Sequence, residues 1–324
     1  VKWIRFIWFI YSFSLACGLA KGQETYTSLN NYNRILINPA FAGYQYESHL
    51  WSSYSFFFKS KEAIFNEYTL VYDRYSPKLK GGTAFFFKQG LQASTNVNTL
   101  ELGFSYAPRM KRFKGTFFPS LYLGYTKPMK QWFMYAWDEW RKKIPEDEYE
   151  ILPGRPYFHS DVYKLGGGML FLKNQWQVGI SGYYGLQINK DPEIESSRLP
   201  YKILFHLSTR LNSTSNGVLT RLKVISPQLI LHYENGLFQA KSELRVTGRP
   251  FLYSVFILNN ISDNLHLFGG SAGFENDRFR LVFSGGIGST PHLNHLIFNG
   301  SLSLVLKLSK ENIKRIFPYK PLHD

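Results

Sequence analysis

Apolar and polar residues alternate one by one along much of this chain, in short stretches separated by turn residues. In 296–308, Leu296, Phe298, Gly300, Leu302, Leu304, Leu306 and Leu308 fall on one side, and Ile297, Asn299, Ser301, Ser303, Val305 and Lys307 on the other. In 201–211, Tyr201, Ile203, Phe205, Leu207, Thr209 and Leu211 oppose Lys202, Leu204, His206, Ser208 and Arg210. Phe279, Leu281 and Phe283 likewise oppose Arg278, Arg280 and Ser284, and Leu100, Leu102, Phe104 and Tyr106 oppose Glu101, Gly103 and Ser105. A period of two puts neighbouring side chains on opposite faces of a strand. No long stretch carries a 3.6-residue period. The pattern predicts about fourteen strands. Their centres are near Tyr54, Leu70, Phe86, Leu102, Leu121, Gly168, Ile180, Phe205, Ile230, Leu244, Val255, Gly270, Phe283 and Leu304. Connectors such as Lys173-Asn174-Gln175, Glu234-Asn235-Gly236 and Glu275-Asn276-Asp277 have turn chemistry.

An even number of antiparallel strands, each of about ten residues, is the pattern of a transmembrane β-barrel. In lipid, closure is compulsory, because an open sheet edge leaves backbone groups unpaired at several kcal/mol each. A soluble sandwich or propeller is the alternative, since it also alternates, with its apolar face inward. Composition favours the barrel. Phe 28, Tyr 22 and Trp 7 make up 18% of the 324 residues, more ring surface than a soluble domain needs. The mean hydropathy of −0.23 excludes a helical membrane protein but not a barrel, in which only alternate residues face lipid. At 44% apolar, the chain is not disordered.

Residues 1–22 read as a signal peptide, with cleavage before Gln23. Lys2 and Arg5 form the charged start, Ile4 to Leu15 the apolar stretch, and Ala16 to Gly22 are mostly small. A membrane-anchor helix is the alternative. Cys17 is the only cysteine, so the mature chain would have no disulfide, thiolate metal site or cysteine nucleophile. Losing Lys2, Arg5 and Lys21 lowers the net charge of +15 by three. A basic exported protein meets lipid phosphates, acidic wall polymer or acidic proteins rather than nucleic acid.

Connector lengths set an orientation. The two longest, 127–160 and 187–200, follow strands five and seven and so share one end, as outer loops do. The 127–160 loop carries Trp132, Phe133, Tyr135, Trp137 and Trp140, then Glu146, Asp147, Glu148 and Glu150. Its rings are a candidate partner-binding surface, or else fold over the barrel mouth or rest in headgroups. At the opposite end Arg109, Lys111, Arg112 and Lys114 form a candidate periplasmic basic turn, able to meet anionic lipid or peptidoglycan. A plain solvated turn is the alternative. The tail 309–324 would be periplasmic.

No catalytic or metal constellation assembles in the sequence. His206 and Ser208 share a strand face, as a base and nucleophile of a lipid hydrolase would, but no acid on that strand orients the His. His292 and His295 lack a third ligand. Gly285-Gly286-Ile287-Gly288 is followed by no helix and is no phosphate cradle. Asp138 and Glu139 are adjacent loop acids whose spacing is no evidence of glycosidase chemistry. No cofactor is implied.

Residues 28–43 are more specific. They read Ser28-Leu-Asn-Asn-Tyr-Asn-Arg-Ile-Leu-Ile, then Asn38-Pro39-Ala40-Phe41-Ala42-Gly43. This resembles the opening of mature PorP/SprF-family proteins, outer-membrane proteins associated with type IX secretion. Asn38-Pro39 would end a helical turn, and Gly43 would permit a tight bend into strand one. Asp161 to Leu170 with Gln177 to Ser181, and Ser226 to Tyr233, are similar to the family's central hairpin and its later Pro-containing strand. The family's Gln-Tyr-Met lead and its Gly-Ser-His-Glu before the last strand are absent here. The resemblance implies an antiparallel transmembrane barrel over 44–308, with 23–43 as a short helical plug. It also implies a non-enzymatic role in the outer membrane of a Gram-negative bacterium. The partners implied are outer-membrane lipid, a large secreted adhesin-like client with a type IX sorting domain, and periplasmic parts of the secretion machinery. A transport barrel for small or apolar solutes and a lipid hydrolase are the alternatives.

Overall fold

The computed structural model describes residues 33–45, 47–59, 62–92, 97–112, 114–129, 161–188, 201–213, 223–234, 236–248, 250–261, 265–289 and 296–310. Fourteen long strands run through them. They are β1 (Glu47–Lys59), β2 (Glu62–Ser76), β3 (Gly81–Gln92), β4 (Val97–Pro108), β5 (Gly115–Met129), β6 (Asp161–Lys173) and β7 (Trp176–Ile188). Then follow β8 (Tyr201–Thr209), β9 (Lys223–Glu234), β10 (Leu237–Gly248), β11 (Phe251–Asn260), β12 (Leu265–Glu275), β13 (Phe279–Ser289) and β14 (Leu296–Lys310). Each predicted centre lies in a different strand, in order.

Every strand pairs antiparallel with its neighbours in sequence, and β14 returns to β1, with Leu304 opposite Ser52 and Phe298 opposite Phe58. The sheet is therefore a closed cylinder with no lateral edge. Two short ladders extend it at one end. Met110–Arg112 pairs with the start of β5, and Leu211–Ser213 with the start of β9.

The faces are inverted relative to a soluble sandwich. Large apolar side chains point outward: Phe268 is 61% exposed, Phe283 57% and Phe85 56%. Polar and charged ones point into the cylinder, where Glu67, Asp73, Lys241, Glu243, Ser301 and Ser303 are buried. A sandwich would reverse this, so that alternative is excluded. An apolar ring around a closed polar interior is stable only in a bilayer, and this is the outer-membrane type of barrel. Outward aromatics occur mid-strand, as at Tyr54, Tyr68 and Phe283, and in pairs towards each rim. Tyr125 meets Tyr163 (5.2 Å between ring centres) towards one, and Phe274 meets Phe251 (6.0 Å) and Phe279 (5.9 Å) towards the other.

The belt makes a direct prediction. Phe283→Arg places a charge against lipid, and is expected to cost up to about 4 kcal/mol, depending on depth. Val282→Ala, facing inward and packed against Leu252, is expected to cost about 1–2 kcal/mol by lost contacts. Urea titration of folding into vesicles separates the two. Equal losses would contradict the assignment of faces.

Some boundaries differ from the sequence reading. β5 continues to Met129 and β7 to Ile188, so the two long connectors are 130–160 and 189–200. Both still leave the same end, here called the loop end. The other, turn end holds tight turns such as Pro77–Lys80 and Asn174-Gln175, as well as the longer 210–222 connector. β14 extends to Lys310, two residues into the expected tail. The signal segment 1–22, Trp132, Phe133, Tyr135, Trp137, Trp140, His292 and His295 lie outside the described residues. Among the described residues no helix is long and apolar enough to cross a membrane.

Candidate functional site: a plugged lumen

Residues 33–45 lie inside the cylinder. A single helical turn, α1 (Arg34–Ile37), starts at Asn33, whose Oδ1 accepts a hydrogen bond from the Ile35 N–H at 3.0 Å. It stops at Asn38, because Pro39 cannot supply the next N–H. Pro39 opens a 3₁₀ turn, Pro39–Phe41, which Asn38 caps by accepting from Ala40 N–H at 2.9 Å. The Asn38 side chain is fully buried. Its Nδ2 donates to the backbone carbonyls of Met169 (3.1 Å, β6) and Ile180 (3.3 Å, β7). Ser181 Oγ donates to Ile37 O at 2.7 Å. One amide thus satisfies itself by pinning the plug to two wall strands.

The wall is shaped for this contact. A Cβ at Gly168 would lie 2.3 Å from Asn38 Oδ1, and one at Gly179 would lie 2.7 Å from Asn38 Nδ2. Phe41 is buried between Tyr44 (5.6 Å, edge-on), His206 (5.1 Å) and the Arg34 guanidinium (5.8 Å). Gly43 adopts φ +59°, a left-handed conformation that favours glycine, and its N–H donates to Asp73 Oδ2 at 3.2 Å. Asp73 also accepts from Trp51 Nε1 at 3.1 Å. Beside the plug, Ile35, Phe41 and Tyr44 join Val71, Phe86, Phe118, Tyr122 and Leu170 of β2, β3, β5 and β6 in an apolar cluster. This half of the lumen is therefore a packed core.

The rest of the lumen holds a second apolar cluster, in which Ile37 of the plug joins Leu204, Ile230, Leu258, Leu267 and Ile297, together with a set of ion pairs. Lys88 pairs with Glu67 (2.7 Å), Lys164 with Glu101 (2.9 Å) and Lys202 with Glu234 (3.7 Å). Tyr122 donates to Glu101 (2.9 Å) and Tyr183 to Glu234 (3.3 Å). The Tyr183 ring lies under Lys164 (5.1 Å) and Lys202 (5.8 Å). Between these pairs and the plug is a cavity of about 90 Å³, lined in part by Ile35, Pro39, Glu67, Lys88, Glu101 and Lys202. The sequence reading singled out none of these pairs. The available signal was a lone charge at an inward position of an otherwise apolar strand.

Of the basic turn, Arg109 folds back. Its N–H donates to Lys80 O at 3.0 Å, and its guanidinium sits 6.0 Å over the Phe118 ring. Lys111 and Arg112 are exposed on the short ladder, and Lys114 is exposed in the turn after it. His206 and Ser208 share the lumen face but form no dyad. Ser208 donates to Gln177 Oε1 at 3.2 Å, and neither His206 ring nitrogen has a hydrogen-bond partner among the described residues. Among the described residues no group of three metal-ligating side chains occurs. Gly285 to Gly288 lie within β13.

No protein-family model matches the chain, and no curated protein does. Solved barrels share its form at low identity. A TodX monoaromatic hydrocarbon channel mutant is 11% identical over 85% of this chain and 94% of its own, with a TM-score of 0.45. Omp33 of Acinetobacter baumannii is 9% identical over 82% and 100%, TM-score 0.43. BamA of Haemophilus ducreyi lacking POTRA domains 1–3 is 12% identical over 80% and 70%, TM-score 0.42. The barrel assignment stands on the chain's own strand pairing and faces.

Proposed function

We propose that this barrel is an outer-membrane component of type IX secretion, related to the PorP/SprF proteins, that supports the export or surface attachment of a large adhesin-like client. The observation that carries the reading is the role of Asn38–Gly43. These six residues are the family-like motif, and they are also the segment that seats in the lumen through Asn38, Phe41 and Gly43. A motif spent on closing a barrel suits a protein that works by holding partners rather than by passing solutes. The role is non-enzymatic, and its partners are outer-membrane lipid, the client's sorting domain and periplasmic secretion components. The turn end, where the plug meets β1, faces the periplasm.

The test is a gene deletion with surface proteomics, paired with a pull-down on the intact barrel in detergent. One large surface protein should be lost from the deletion strain and recovered with the bait. Unchanged surface display together with an empty pull-down would overturn the reading. The transport alternative predicts solute-specific uptake into liposomes by the plugged barrel.

A further inference from the structure

Three consecutive turns at the turn end carry a single sign of charge. They are 76–81 from β2 to β3, 108–115 from β4 to β5, and 173–176 from β6 to β7. Together they hold seven Lys or Arg residues and no Asp or Glu. The β12–β13 turn of the same end, by contrast, sets Glu275 and Asp277 beside Arg278. The first two turns are joined, because Arg109 N–H donates to Lys80 O at 3.0 Å and the Tyr106 hydroxyl donates to Leu79 O at 2.7 Å. Lys78, Lys80, Arg112, Lys114 and Lys173 are exposed, and none of these five side chains has an ion pair or hydrogen bond among the described residues. Lys80 and Lys114 adopt φ +51° and +55°, left-handed values that Gly or Asn takes more readily, as Asn174 does in the third turn at +54°. A merely solvated turn gains nothing from lysine there.

Register places much of this charge on the barrel's flank. Residues directly opposite in a ladder share a face. Met110 stands opposite Phe117, Arg112 opposite Gly115, and Lys173 opposite Trp176. Phe118 and Gln177 are buried on the inward face, so their neighbours Phe117 and Trp176 face lipid, and Met110, Arg112 and Lys173 with them. Leu79 is 53% exposed, Met110 45% and Trp176 38%. We infer that this sector of the rim is a binding site for anionic phospholipid headgroups. Leu79, Met110 and Trp176 enter the edge of the acyl layer, and the cations beside them meet the headgroup charge. A zwitterionic lipid carries its own ammonium next to the phosphate and competes weakly. An acidic soluble protein would have no use for apolar side chains on the flank. The inference rests on the fold and on charge placement, and is independent of the secretion reading.

Gel filtration of the full-length barrel in detergent containing equimolar phosphatidylglycerol and phosphatidylcholine tests it, with the retained lipid counted by mass spectrometry. Phosphatidylglycerol should be retained about fivefold over phosphatidylcholine in about 0.1 M NaCl, and less than about twofold in about 1 M NaCl. Gln at Lys78, Lys80, Arg112, Lys114 and Lys173 together should abolish the preference, and Lys127→Gln with Arg278→Gln should keep it. The salt series on the unaltered barrel decides the matter even where the fivefold variant does not insert. Equal retention of the two lipids by the unaltered barrel, a preference that survives high salt, or a full preference in the fivefold variant would overturn the proposal. So would saturable binding of soluble polyglutamate without lipid preference, which would assign the rim to an acidic protein.

Discussion

Gly82→Val expels the 33–45 segment from the lumen and leaves the cylinder closed. A Cβ at Gly82 would sit 1.9 Å from the Ala42 carbonyl oxygen and 2.3 Å from its carbon. Both are backbone atoms, so no side-chain rotation relieves the clash. The strand itself accepts Val readily. What is lost is the docking of the plug. Burial of Ile37 and Phe41 contributes about 4 kcal/mol before the entropy of ordering is subtracted. The Asn38 and Ser181 hydrogen bonds contribute about 1 kcal/mol each. Amide protection of Ala40, Ala42 and Gly43 should fall by about 100-fold or more. Ion conductance in planar bilayers should rise, since the plug packs into both apolar clusters of the lumen. The barrel should keep its resistance to unfolding on cold gels. Thr83→Val, one residue on and facing lipid, is the control and should change neither quantity. Full protection in the Gly82 variant would mean that this contact does not hold the segment.

Removing a single lumen carboxylate should destabilise the barrel more than any rim substitution. Glu243 accepts from Arg245 Nε (3.2 Å) and Nη2 (3.0 Å) and pairs with Lys241 (3.1 Å) at 3% side-chain exposure. Glu243→Gln leaves two cations side by side in the cluster without this countercharge. Breaking a buried pair from one side typically costs about 3–5 kcal/mol. Replacing Lys241 and Glu243 together by Met and Leu removes both charges, and should recover about half of that loss. Lys78→Gln at the exposed turn should change stability by less than about 0.5 kcal/mol. The midpoint of urea unfolding from vesicles reads all three. A loss below about 1 kcal/mol for Glu243→Gln would show that water enters the lumen and screens the pair.

The strands were the most legible feature because their signal is local. In 296–308 the side of the chain bearing Phe298, Leu302 and Leu306 faces lipid, and the side bearing Asn299, Ser301 and Ser303 faces in. Strand ends were less legible. Lys127 to Met129 read as loop but belong to β5, because their partners Leu100, Thr99 and Asn98 on β4 continue the ladder. The basic turn was legible as charge, but not in its folding. Arg109 turns in over Phe118, a contact across the sheet that no run of six residues reveals.

The candidate site shows the same division more sharply. The sequence by itself determined that alternate residues would face two different media, and that Asn38–Gly43 was unlike the rest. Those properties follow from the two-residue period and from Pro and Gly backbone limits, which act between near neighbours. Only the tertiary structure decided that Asn38 would bond to carbonyls of β6 and β7, more than 130 residues away in sequence. It also decided that Glu101 would meet Lys164, and that Arg34 would line one cavity with Arg210, Arg245 and Arg280. Barrel closure sets these neighbours, because the shared register of all fourteen strands determines which inward side chains stand at the same depth.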